Sequence, residues 1–154
     1  MNVELMNDLI DWLLSIARQH GIKVKFENDW HSNWPSQGSA SFKLILYNPN
    51  WLPVYERPIS LAHEIGHVLS KCEDPNPVTA YSVDEKIEDV GNEIAVHLIL
   101  DYCKQNDISF ESKQQLIDAF DIPYYMTHNL DNELSHNKSN RCVFYPAANF
   151  SGLI

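Results

Sequence analysis

The segment RPISLAHEIGHVLSK, Arg57 to Lys71, sets two histidines four residues apart in a stretch with helical period. No other part of the chain restricts the fold as tightly. On a helix, residues i and i+4 lie one above the other, so His63 and His67 turn both imidazoles toward one point. Pro58 suits the first turn, where its missing N–H has no partner to lose, and Ala62, Ile65 and Leu69 supply an apolar face. Two imidazoles at this spacing suit a zinc ion. Glu64, turned by roughly 100° about the axis, stands beside such an ion and does not bind it. A general base that takes a proton from water at a metal belongs there. Gly66 is expected to leave space beside the metal. A metal-free helix that happens to carry two histidines is the plain alternative.

A catalytic zinc ion takes three protein ligands and keeps a fourth position open, so a third donor is expected downstream. Val83 to Cys103 has the pattern of a long buried helix, with Ser82 and Glu85 forming an S-x-x-E capping box ahead of it. At 100° per residue, Gly91, Ile94, Ala95, Leu98 and Tyr102 share one face. Glu88 falls at the edge of that face and Glu93 on the opposite side. Glu88 is therefore the better third ligand, and Glu85, Asp89 and Glu93 read as solvated surface charges.

The remaining elements make an α+β chain, helix-dominated in its C-terminal half. Leu5, Leu9, Trp12, Leu13 and Ile16 recur at helical intervals, which predicts a first helix over Val3 to His20, closed by Gly21. Ile22 to Glu27 and Ser41 to Asn48 are strand candidates, and NDWHSNWPSQGSA between them is a loop or an irregular edge strand. EDPNPVTAY reads as a loop. FESKQQLIDAF looks helical, DIPYYMTHNLDNEL starts another helix near Pro123, SHNKSN is a polar turn, and RCVFYPAANF packs as a strand or an irregular cover.

With 154 residues and 44% hydrophobic content, the chain suits a single domain over 1–154. A formal charge of −10 argues against a direct nucleic-acid surface, which needs clustered Lys and Arg. Cys72, Cys103 and Cys142 show neither disulfide nor thiolate-zinc spacing, and no run approaches the length of a membrane span. A cytoplasmic protein is expected.

RPISLAHEIGHVL followed by IEDVGNEIAVHLIL resembles the ImmA/IrrE family of metallo-endopeptidases, which are gluzincin-like. Arg57 and Leu61-Ala62 match the family's Arg-x-x-x-Ala segment, and Glu88, Asn92, Ala95 and Leu98 match its Glu-x-x-x-Asn-x-x-Ala-x-x-Leu helix. The resemblance is most specific over Arg57 to Leu100. It implies a small zincin-like domain with a motif core at about 57–103 and a short twisted sheet against the HExxH helix. It also implies one zinc ion on His63, His67 and Glu88, with Glu64 as catalytic base. The chain departs from the family in LILDYC, which lacks the usual proline turn, and in His97.

Charge that develops on a peptide carbonyl needs a second donor beside the metal. Tyr124, Tyr125 and His128 are the candidate oxyanion stabilisers, although tyrosines at a helix start also serve as packing residues with wet tips. Trp30, Trp34 and Trp51 either border a peptide-binding cleft or lie in the core. His20, His31, His97 and His136 lack ligand spacing, and Cys72 reads as a buried thiol. The resemblance further implies a protein substrate, a helix-turn-helix repressor of a phage, mobile element or stress regulon. The alternatives are a non-catalytic zinc-containing regulator that acts by binding its partner, and a metal-free interaction module.

Overall fold

The computed structural model describes residues 1–71, 81–137 and 143–144. The first helix, α1, spans Val3–Gln19; the Asn2 side chain accepts from the Leu5 N–H at its start, and Gly21, at φ +71°, turns the chain away. Its apolar stripe, Met6, Leu9, Leu13 and Ala17, is buried. The expected helix over Val3 to His20 is thus present.

Three short strands follow: β1 (Lys23–Phe26), β2 (Gln37–Ser39) and β3 (Leu44–Tyr47). β3 lies in the middle, parallel to β1 with Lys23 opposite Leu44, and antiparallel to β2 with Gly38 opposite Ile45. The two expected strands are present in shortened form, and the irregular stretch between them supplies an edge strand. Two asparagines tie this stretch down. Buried Asn48 donates its amide to the His31 and Trp34 carbonyls, and Asn50 donates to those of Asn28 and Trp30.

After a 3-10 turn at Val54–Glu56 comes α2, Arg57–Ser70, with Pro58 in its first turn and Lys71 in a left-handed cap. α2 packs on β2 and β3 with one side and on α3, Tyr81–Gln105, with another. Buried Leu61, Ala62, Ile65 and Val68 join Ile45, Tyr47, Ala95 and Ile99 in one hydrophobic cluster. α3 already includes Tyr81 and Ser82, so Ser82 is not the cap that the S-x-x-E pattern predicted. That pattern is short and also occurs within first turns. α4 (Lys113–Phe120) is capped by Ser112, and a 3-10 turn at Tyr124–Met126 leads into α5, Thr127–His136, which packs on α3. Phe144 bridges to Phe110; the rest of RCVFYPAANF outside Val143 and Phe144, the last three residues of SHNKSN, EDPNPVTA, Cys72 and Cys142 lie outside the described residues. Cys103 is buried and free, and burial pushes its thiol up to about 12. Among the described residues, no helix is long and apolar enough to cross a membrane.

α2 and α3 cross at two glycines. A Cβ on Gly66 would lie 2.8 Å from the Gly91 carbonyl oxygen and 3.2 Å from the Gly91 Cα. Gly66 thus makes room for the backbone of α3, not for a metal, which corrects the expectation from sequence. Gly66→Ala is expected to destabilise the fold by ~1–3 kcal/mol through overpacking, despite alanine's better helix propensity. Urea denaturation of the two proteins checks this.

Candidate metal centre

The crossing brings the histidines of α2 against Glu88 of α3. His63 Nε2 lies 3.2 Å and His67 Nε2 3.4 Å from the two Glu88 carboxylate oxygens, and the two Nε2 atoms are 2.8 Å apart. Their side chains are 16%, 12% and 61% exposed for His63, His67 and Glu88, so the rings are fixed in protein while the carboxylate faces water. Gly91 permits the approach: a Cβ there would meet His67 Cε1 at 2.9 Å and His63 Cε1 at 3.1 Å. Any side chain at this position would displace both rings.

Asn92, one residue further and nine-tenths buried, sets the tautomer of His63. Its Oδ1 is 2.9 Å from His63 Nδ1, and because an amide oxygen only accepts, the ring carries its proton on Nδ1. In the neutral ring Nε2 then presents a lone pair toward His67 and Glu88, and when the ring is protonated Nε2–H donates to Glu88. Two imidazole nitrogens and a carboxylate, all within 4.8 Å of one another, form an electron-rich group that can hold a metal ion. Donors about 2 Å from a tetrahedral zinc lie roughly 3.3 Å apart, close to the spacings here, and the N/O donor set suits zinc. Sequence reasoning matched Asn92 to a family pattern without giving it a role; its position four residues after Glu88, on the same helical face, was the available signal. Asn92→Ala is expected to weaken metal binding by about 10–100-fold, because the second partner of a ligating histidine fixes its orientation. Competition against a chromogenic chelator measures it.

Glu64 lines the same cleft, about 510 Å³ in volume, as His63, Glu88 and Asn92. Burial raises its carboxyl above the usual range, opposed by the nearby His63 and His67 and by a backbone N–H from Gly38 on β2. Gly38 is small for a reason, since a Cβ there would lie 2.9 Å from the Glu64 carbonyl oxygen and 3.1 Å from its Oε2. His63 is pulled down by burial, but hydrogen bonding to Glu88 and the charges of Glu64 and Glu88 bring it above its ordinary value. Glu88 is held far below the carboxylate range by hydrogen bonds from His63 and His67. The three acids and bases are electrostatically one unit.

Of the three candidate oxyanion donors, Tyr125 lines the cleft. Burial, with the charges of Glu56 and Glu88, raises its phenol, which keeps the O–H on and available to donate. Tyr124, 91% exposed, does not line the cleft. His128 does not either: its Nδ1 faces the Tyr125 carbonyl at 3.1 Å and its Nε2 faces Asp89 Oδ1 at 2.8 Å. Asp89 is thereby more than the solvated charge expected. It also accepts from buried Asn129, and that bond, with His128, holds its carboxyl below the usual range and ties α3 to α5 beside the cleft. Partners 39 and 40 residues away leave no trace in local sequence. Glu85 and Glu93 are exposed, as expected. Trp51 lines the cleft, its carbonyl held by Arg57 Nε, whereas Trp34 is largely exposed and packs edge-on against Trp30. His97 sits between Glu133 and Asp101, away from the histidine pair.

A family model described as the IrrE N-terminal-like domain, Peptidase M78, matches residues 17–126. The chain belongs to this family. The match takes in α2, α3, the sheet, the cleft and Tyr125, so the resemblance read from Arg57 to Leu100 extends across most of the chain. No curated protein and no solved structure matches. Family membership supports a protease-like role and implies a protein substrate, and the histidine–glutamate group is a candidate metal site.

Proposed function

We propose that the chain is a zinc-dependent endopeptidase acting as one domain over 1–154, with His63, His67 and Glu88 as zinc ligands and Glu64 as catalytic base. The observation that carries this reading is the convergence of two imidazoles and a carboxylate in a cleft that Glu64 also lines. A zinc ion bound there supplies a Lewis acid that polarises the peptide carbonyl and makes water easier to deprotonate. Glu64 takes the proton of the attacking water and returns it to the amine nitrogen as the C–N bond breaks. Tyr125 donates its hydroxyl to the carbonyl oxygen as negative charge develops there. Asn92 keeps the His63 lone pair aimed at the centre, and the Gly38 N–H orients the Glu64 carboxylate.

The substrate we propose is a helix-turn-helix repressor in the cytoplasm, whose own DNA-binding surface is basic. The family resemblance supports it, and so does the net charge of −10, which steers the enzyme toward a basic partner. Co-expression tests this. A helix-turn-helix repressor from the same genome is expected to be cut by wild-type enzyme and to stay whole with Glu64→Gln. Equal survival in both would remove the repressor from the proposal.

A further inference from the structure

The cleft has a wall whose chemistry the hydrolytic centre leaves unused. Glu56, at the end of the 3-10 turn before α2, lines it together with Trp51, Ile59 and Met126. Among the described residues no Lys or Arg lines the cleft, and Glu56 forms no ion pair. Its hydrogen-bond neighbour is the Trp51 indole N–H, a long 3.4 Å from Oε2. The adjacent Arg57 forms no ion pair with it, and its Nε donates to the Trp51 carbonyl at 2.9 Å. The other two carboxylates of the cleft are engaged, Glu88 by both histidines and Glu64 by the Gly38 N–H. Glu56 is left as a half-buried anion beside an indole and two buried apolar side chains, Ile59 and Met126.

We infer that Glu56 and Trp51 form a subsite for a lysine or arginine side chain of the peptide being cut. These side chains carry a long apolar stem and a cationic head. Trp51, Ile59 and Met126 cover the stem, and the Glu56 carboxylate receives the head. An acidic residue in the same place would set like charges side by side in a partly desolvated cleft, which strongly disfavours it. A neutral polar residue would leave the carboxylate without a counter-charge. Glu56 is thus a specificity-determining residue. The inference rests on the peptidase reading, yet it can fail separately.

An alanine-rich, internally quenched decapeptide series, with one Arg, Lys, Gln or Glu walked along it, is the probe. At one position, wild-type enzyme is expected to prefer Arg or Lys over Gln by roughly 10–100-fold in kcat/KM. Glu56→Gln is expected to bring that ratio to about threefold or less, Glu56→Asp to keep part of it, and Glu56→Lys to favour Glu-bearing peptides. The same peptides titrated against Glu64→Gln protein by fluorescence anisotropy should show the same ranking in Kd, lost on adding Glu56→Gln. A basic preference that survives Glu56→Gln, or none at any position, overturns the subsite. Selective binding without cleavage by wild type leaves the subsite standing and removes the peptidase. Absence of both binding and cleavage overturns both.

Discussion

Glu64→Gln protein is expected to lose roughly 10²–10⁴-fold in kcat while keeping its metal and its fold. The substitution is nearly isosteric, and the amide oxygen still accepts from the Gly38 N–H that orients the carboxylate. What disappears is the only change that matters to the reaction, a group that binds a proton and releases it. Burial already disfavours the charged form of Glu64, so a neutral side chain there costs no stability and the melting temperature should stay level or rise. The combination is diagnostic. A regulator that works by binding would keep its effect on the partner, whereas a peptidase loses it. Wild-type turnover retained by a folded, zinc-loaded Glu64→Gln protein would eliminate Glu64 as the base.

Glu88→Ala should separate the metal centre from the fold. Structural zinc binding worth about 10–16 kcal/mol, shared over four ligands, puts one ligand at ~2.5–4 kcal/mol, so zinc affinity should fall on the order of 10²–10³-fold, with hydrolysis lost at limiting zinc. The metal-free protein should barely notice. Glu88 is 61% exposed, and its pairing with the histidines is worth no more than about 0–1 kcal/mol once solvent screening is counted. A carboxyl held below its unfolded value contributes stability in full above the ordinary carboxylate range and loses it progressively as pH falls from that range toward the folded value. Zinc titration followed by thermal melting in chelator checks both halves. Unchanged zinc affinity would mean that the ion is held elsewhere.

Much of the centre was legible because it depends on period. His63 and His67 face one way for the same reason that Leu61, Ile65 and Val68 face the core, and Glu88 shares a helix edge with the buried stripe of α3. Helical geometry converts such spacings into directions without tertiary information. Glycine carries no such signal. Gly66 read as space for a metal and Gly91 as one more residue of a buried face, but each is required by an atom of another segment, the Gly91 carbonyl for one and the two imidazole rings for the other. Ser82 misled because a capping pattern is only four residues long. Asp89 misled because its partners, His128 and Asn129, come from a helix far along the chain.

The sequence by itself pointed to the proposed donor set, His63, His67 and Glu88, with Glu64 beside it, since residue type and helical phase are local properties. The tertiary structure decided how close the two helices come, through Gly66 and Gly91. It also decided that Asn92 orients His63, that β2 delivers the Gly38 N–H to Glu64, and that Tyr125, not Tyr124 or His128, lines the cleft. Each of these is a contact between segments whose separation along the chain bears no relation to their distance in space. The packing of an apolar core, not any local preference, brings them together.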